Sequence, residues 1–361
     1  MSEQDHPYSS LPDAAFWRTA VSDPGLFGLS DLWSSKWRLP SDARFATYGS
    51  CFAQHISRAL RDRGKIWVDA EPAPGKTPEG LARRYNYGVY SSRTGNIYTA
   101  AQLATWVSLA EDGARISGVE LWQDADGVKD SLRPMVEPQG FVSKAEARSC
   151  LETTATAFRR SVSEADVFVF TLGLTEGWEN KQTGQPYQMC PGTVGGQFDP
   201  VQHVFRNYAY PEIRQSLETT FSRVRHWNPE LRILLTVSPV PLTATAADKH
   251  VLVSTHYSKS TLRAVAGDLA QAHEWLDYFP SYEMIATPPV RGIFYEPNMR
   301  SVAKAGVEFV MGHFFAGLDM TGGSAGNVSA EKSEQQKTEE KRMEVEELIC
   351  EELTLESARE T

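Results

Sequence analysis

Residues 45–63 read FATYGSCFAQHISRALRDR, and a change of periodicity inside this stretch decides the fold. Phe45 to Tyr48 is a short apolar and aromatic run that stops at Gly49, whereas Phe52 to Arg63 places Ile56, Ala59 and Leu60 on one helical face. The reading is strand, tight turn, helix. Asp166 to Leu172, within ADVFVFTLG, sets Val167, Phe168, Val169 and Phe170 in succession, as a strand buried on both faces does, and Gly173 ends it. Arg232 to Val237, in LRILLTVSP, is a second such strand. Between them Ile213, Leu217, Phe221 and Val224 recur every three or four residues over Pro211 to Trp227, which completes a strand, crossover helix, strand unit. Lys259 to Leu276 reads as a further helix, Trp275 to Tyr278 as the lead into a loop at Pro280, and Ala303 to Phe315 as the closing helix. The sum is a three-layer α/β/α sandwich with a mainly parallel sheet in one domain, 41–318, behind a loosely structured N-terminal arm, 1–40.

The composition fits that class. The chain has 361 residues, 41% hydrophobic and 23% charged, the make-up of a globular protein and of neither a disordered nor a collagen-like one. A net charge of −10 argues against a phosphate-backbone binder, so nucleic acid is not expected as a partner. The opening MSEQDHPYSSLPDAAFW lacks a basic segment followed by an apolar run, and nowhere do eighteen uncharged apolar residues follow one another. A cytoplasmic protein without a membrane span is the expectation. Cys51, Cys150, Cys190 and Cys350 form no CxxC pair, which fits reduced thiols better than a disulfide framework or a zinc site. No glycine-rich phosphate loop, HExxH or EF-hand string occurs, and neither metal nor organic cofactor is expected. After Gly317 the sequence turns polar, and 319–361 reads as a flexible acidic tail in which Val345, Leu348, Ile349 and Leu353 have the spacing of a short amphipathic helix. Within 331–360 stand eleven Glu against five Lys and Arg, so −6 of the −10 lies there, and the tail reads either as a frayed, solvated helix or as a docking element for a protein partner.

In an open parallel sheet, ligands bind in the crevice at the carboxyl ends of the strands. Ser50 and Cys51 follow the first strand at the start of a helix, where free backbone N–H groups and the helix dipole stabilise negative charge. Each has a plain alternative: Ser50 can cap the helix and Cys51 can pack. Cys51 is the weaker nucleophile candidate, because the next residue along a helix points about 100° away.

The string Gly49-Ser50-Cys51-Phe52-Ala53 resembles the signature of the GSCFA family, itself related to the SGNH or GDSL hydrolases. The segments TLGLTEGW (171–178), SPVPLTAT (238–245), YSKSTLRA (257–264), YFPSYE (278–283) and MRSVAKAGVEFVMGHFF (299–315) resemble that family in the same order. The resemblance implies an SGNH-hydrolase-like fold and an ester hydrolase or O-acyltransferase whose covalent nucleophile is Ser50. It further implies oxyanion donors from Gly88, in YNYGVYSS, and from the GLTE block of Gly173 to Glu176, where Thr175 stands in place of the usual Asn; a turn or bulge glycine and a helix cap are the competing readings of Gly88 and Thr175. SGNH enzymes carry DxxH before the last helix; this chain has Asn298-Met299-Arg300-Ser301, so the usual base and its carboxylate are absent from that position.

A replacement base must then come from elsewhere. His203 ranks first, because HxFxN with Asn207 also resembles the family, and His256, in DKHVLVSTHYSKS after the SPVPLTAT strand, ranks second. A structural histidine is the competing reading for both. Asp248 or Glu176 could orient such a base, Cys190 could line the site, and Lys259 with Arg263 reads either as an anion clamp or as a solvated helix face. The function these readings favour is a serine esterase or O-acyltransferase acting on an ester of a sugar, a lipid or another small acyl carrier. The alternatives are a catalytically silent binding protein that keeps the crevice but has lost the Asp and His, and acyl transfer through Cys51.

Overall fold

The computed structural model describes residues 6–320, 352 and 354–357. The strands are β1 (Arg44–Gly49), β2 (Ile66–Trp67), β3 (Leu121–Gln123), β4 (Val128–Asp130), β5 (Val167–Leu172), β6 (Glu176–Asn180), β7 (Pro186–Tyr187), β8 (His203–Asn207), β9 (Arg232–Val237) and β10 (Leu276–Phe279). The helices are α1 (Ala53–Asp62), α2 (Glu79–Arg84), α3 (Ala100–Glu111), α4 (Lys144–Glu164), α5 (Tyr210–Trp227), α6 (Val251–Ala272), α7 (Ser281–Ala286) and α8 (Lys304–Gly317). The tail helix expected around Val345, Leu348, Ile349 and Leu353 lies outside the described residues.

The central sheet has five parallel strands in the order β10-β9-β5-β1-β2. Counted along the chain this is 2-1-3-4-5, the flavodoxin-like winding, which switches direction between β1 and β5. Alternation within each strand builds two cores. Ala46, Tyr48, Phe168, Phe170, Ile233 and Leu235 face one layer, where α4, α5 and α6 contribute Phe158, Phe221 and Leu262. Phe45, Val167, Val169 and Leu234 face the other, against Ile56 and Leu60 of α1, Met284 of α7 and Phe314 of α8. A smaller antiparallel ribbon, β7-β6-β8, extends from the end of β5.

Three local readings of the sequence change. The helix expected from Lys259 begins at Val251, capped by His250, whose Nδ1 accepts from the Leu252 N–H at 3.2 Å. Leu276–Phe279 is an edge strand rather than a lead into a loop; four residues beside a helix end carry too little alternation to be read. The arm is also tied down in its second half. Trp33 stacks on Phe314 and meets the edge of Phe279, the Ser35 N–H donates to Gly317 O at 2.8 Å, and the Leu39 N–H donates to Asp319 O at 2.8 Å.

Gly49, the last residue of β1, has φ of 130°, and a side chain there would meet the Thr171 backbone oxygen at 2.4 Å. Neither a left-handed backbone nor that approach tolerates a Cβ. Gly49→Ala is expected to lower stability by about 2–3 kcal/mol or more, read from the urea midpoint; an unchanged midpoint would show that the two strand ends can separate freely.

Candidate active site

The close approach at Gly49 turns the chain upward at the crest of the sheet. Ser50 follows, held by its N–H to Thr171 O at 3.1 Å, while its carbonyl accepts from the Ala53 N–H at 2.9 Å and the Tyr90 hydroxyl at 3.2 Å. Its side chain is 3% exposed, and Oγ has no hydrogen-bond partner among the described residues. The end of β5 closes over it: a Cβ on Gly173 would lie 2.9 Å from Ser50 Cβ and 3.0 Å from Tyr98 O, so only glycine permits this contact. Two adjacent residues of α6 hold the same loop. The Lys259 ammonium donates to Gly173 O at 2.8 Å, and Ser258 Oγ accepts from the Thr175 N–H at 3.0 Å. Thr175 is fully buried and its Oγ1, like Ser50 Oγ, has no hydrogen-bond partner among the described residues.

Lys259 is buried, and desolvation pushes its amine down to about 8, against the opposing pull of Glu352 and Cys51 and together with the repulsion of Arg300. Glu352 belongs to the C-terminal segment. It is buried, and its Oε2 accepts from Arg300 Nη2 at 3.3 Å. The described part of the tail therefore docks on the chain's own crevice. Asn298 and Ser301 close a turn on each other: Asn298 Nδ2 donates to Ser301 Oγ at 3.0 Å, and Asn298 Oδ1 accepts from the backbone N–H groups of Arg300 and Ser301.

A cavity of about 250 Å³ opens beside this centre, between Tyr98, Leu174, Trp178, Phe205, Thr245 and the tail residues Glu352 and Leu355. Glu176 also lines it and accepts from Thr245 Oγ1 at 2.9 Å; burial raises its carboxyl above the usual range, and burial likewise pushes the Cys190 thiol up to about 11. Among the described residues no group of His, Cys, Asp and Glu side chains is gathered as a metal site.

The structure brings Ser50, Gly173 and Thr175 together, but not the histidines. His203 opens β8 opposite Asn180, whereas Asn207 at the other end of β8 stands opposite Glu176 near the crevice. The two are four residue steps apart along an extended strand, roughly 13 Å. His203 accepts from the Asp199 N–H through Nδ1 at 3.0 Å, lies edge-on to Tyr187, and has Nε2 at 4.0 Å from Glu120 Oε1. His256 is exposed on α6, and Asp248 and His250 lie in the segment before that helix. His55 lies edge-on to Phe52, with its imidazole pushed down to about 4 by burial. Cys51 packs in the apolar core shared by α1 and α8. Gly88 sits in a turn where the nearest neighbour of a Cβ would be Arg61 Nη1 at 3.8 Å. The segment that reaches this turn is instead 90–98: the Tyr90 hydroxyl touches the Ser50 carbonyl and Asn96 Oδ1, and the Ile97 N–H donates to Gly49 O at 2.8 Å. Its signal in the sequence was the Gly95-Asn96 turn doublet. Arg263 pairs with Glu283 instead of facing the crevice.

The site thus lies in an open, doubly wound parallel sheet, with a buried serine at its switch point. The GSCFA family model matches residues 44–314, and the chain belongs to the GSCFA family. No curated protein matches the sequence. Solved structures similar to it include a Clostridium thermocellum family 3 carbohydrate esterase, 9% identical, covering 76% of this chain and 94% of that one with a TM-score of 0.32. Another is a carbohydrate esterase family 3 protein from Talaromyces cellulolyticus, 10% identical, with coverages of 75% and 94% and a TM-score of 0.31. A third is the periplasmic domain of a Salmonella ser. Paratyphi A lipopolysaccharide acetyltransferase, 11% identical, with coverages of 83% and 88% and a TM-score of 0.31.

The burial of Lys259 has a signature in stability. With the amine at about 8 in the fold and 10.5 as its ordinary value, the unfolded chain binds more protons than the native one between these limits. Native stability therefore gains from this group as pH rises through that window. The stability of wild type relative to Lys259→Met, measured by urea unfolding, is expected to be higher at pH about 10 than at pH about 7; an equal difference at both would show an unperturbed amine.

Proposed function

We propose that this GSCFA protein is an SGNH-like serine esterase or O-acyltransferase in which Ser50 is the nucleophile. The observation that carries the reading is the Ser50 hydroxyl itself, buried at the switch point of the sheet without a hydrogen-bond partner among the described residues. Leaving a buried polar group unpaired costs about 1–3 kcal/mol, and such exceptions gather where a ligand completes the bonding. The unpaired Thr175 hydroxyl, two residues beyond the glycine that touches Ser50, supports the same reading. In the proposed reaction Ser50 Oγ attacks an acyl carbonyl, the Thr175 hydroxyl donates to the oxyanion, and the alcohol departs to leave an acyl-enzyme. Water or an acceptor hydroxyl then releases the acyl group.

The cavity supports a small acyl group. Its volume of about 250 Å³ lies below the range of drug-sized pockets, and its wall of Tyr98, Trp178 and Phe205 offers flat apolar surface for a short acyl chain or a sugar ring. The free thiols Cys150 and Cys190 support a reducing, cytoplasmic setting, and no helix among the described residues is long and apolar enough to cross a membrane.

Purified protein is expected to react with a fluorophosphonate at Ser50 and to hydrolyse p-nitrophenyl acetate faster than the palmitate ester. Ser50→Ala is expected to abolish labelling and to reduce hydrolysis on the order of 10³-fold or more. Labelling that persists in Ser50→Ala would place the nucleophile elsewhere.

A further inference from the structure

With Ser50 as nucleophile, its proton needs an acceptor, and the histidines are placed away from it: His203 stands opposite Asn180 at the start of β8, His256 is exposed on α6, and His55 lies against Phe52, while Asn298 and Ser301 bond to each other. We propose that Lys259 is the general base for Ser50, and that Glu352, delivered by the C-terminal segment, is the carboxylate that positions it. This inference rests on Ser50 being the nucleophile.

Gly173 is the point of contact for both groups. A Cβ on Gly173 would lie 2.9 Å from Ser50 Cβ, and Lys259 Nζ bonds the Gly173 carbonyl at 2.8 Å, so the two side chains flank this residue without a hydrogen bond between them. An uncharged amine keeps a hydrogen for that carbonyl while its lone pair is left to accept a proton. Lys259 is 1% exposed, in a helix whose neighbouring Ser258 is bonded to the Thr175 N–H, so the amine is fixed at the crest rather than free to swing into solvent. The charged and titratable groups that act on it are Glu352, Cys51 and Arg300. Glu352 is itself buried and bonded to Arg300, beside the turn where Asn298 and Ser301 replace the usual Asp and His. Its negative charge stabilises the ammonium that forms on proton transfer, the service an aspartate gives to an imidazolium in a serine triad.

The step balances on these residues. As the Oγ–C bond forms, the Ser50 proton passes to Nζ; as the C–O bond to the leaving alcohol breaks, Nζ returns the proton to the departing oxygen. Deacylation repeats the exchange with water or an acceptor hydroxyl. Burial holds the amine at about 8, so a useful fraction is neutral near neutral pH, where a solvated lysine is almost wholly charged.

The test is the second-order rate of fluorophosphonate labelling at Ser50 in wild type, Lys259→Ala, Lys259→Arg and Glu352→Gln, each checked for its fold by circular dichroism. Lys259→Ala and Lys259→Arg are both expected to label about 10²–10⁴-fold more slowly, with added methylamine partly restoring Lys259→Ala. Glu352→Gln is expected to move the pH midpoint of labelling downward, because loss of the carboxylate disfavours the ammonium. Wild-type rates in Lys259→Ala, or restoration by arginine, would overturn the base role, the latter by showing that a cation on Gly173 suffices. An unmoved midpoint in Glu352→Gln would overturn the role of Glu352, and it remains readable if the Lys259 variants do not fold. Wild type that labels anywhere but Ser50 would remove the nucleophile itself and the base with it.

Discussion

The structure depends on one close approach, that of the ends of β1 and β5. Gly49 passes so near the backbone of Thr171, and Gly173 so near Ser50, that a methyl group on either would collide with its neighbour. Two adjacent strands that diverged normally at their carboxyl ends would open the crest to water. Here they converge on a serine, which is lifted out of the β1 pleat and enclosed. The direction of the sheet reverses between these same two strands, so the crevice that every doubly wound sheet leaves at its switch point is centred on Ser50.

A buried polar framework holds the walls of that crevice. Arg133 and Asp130 form an ion pair at 2.8 Å with both side chains fully buried; Arg133 also donates to Arg93 O and Thr154 Oγ1, and Thr154 donates to Glu71 Oε1 at 2.9 Å. Glu71 Oε2 in turn accepts from the Arg93 N–H at 2.8 Å. Such a network stabilises less than an apolar core of equal volume, but breaking it strands a buried charge, so it fixes one arrangement of the chain against others. What it fixes is the segment from Tyr90 to Tyr98, which touches Gly49, Ser50 and Gly173. Within these walls lie the hydroxyls of Ser50, Thr171 and Thr175, unpaired among the described residues.

The chain's acidity divides in the same way. Most of the negative charge lies in the C-terminal segment, yet the described part of that segment turns one glutamate inward, onto Arg300 and the field of Lys259. A carboxylate joined to the body by a long polar stretch can reach a crevice on any face, which a residue in the loop before α8 cannot do.

The sequence by itself determined the layered α/β fold, because alternation and helical spacing are local and survive in β1, β5, β9, α5 and α8 almost to the residue. It also determined where Ser50 stands, since a Gly-Ser pair after the first strand can only reach the crest. It did not reveal the edge strand β10, whose four residues are too few to carry a period, nor the separation of His203 from Asn207, which depends on their lying at opposite ends of one extended strand. Lys259 read equally as a clamp or a solvated face until its helix was placed: on a helix with a periodic apolar stripe, only the packing partner says whether a lysine points to water or to the carbonyl of Gly173. The placement of Lys259 on the Gly173 carbonyl beside Ser50, and of Glu352 on Arg300, spans some three hundred residues of chain. Local spacing holds no record of such a contact, and only the tertiary structure, by bringing strand ends, helix and tail to one crest, decided it.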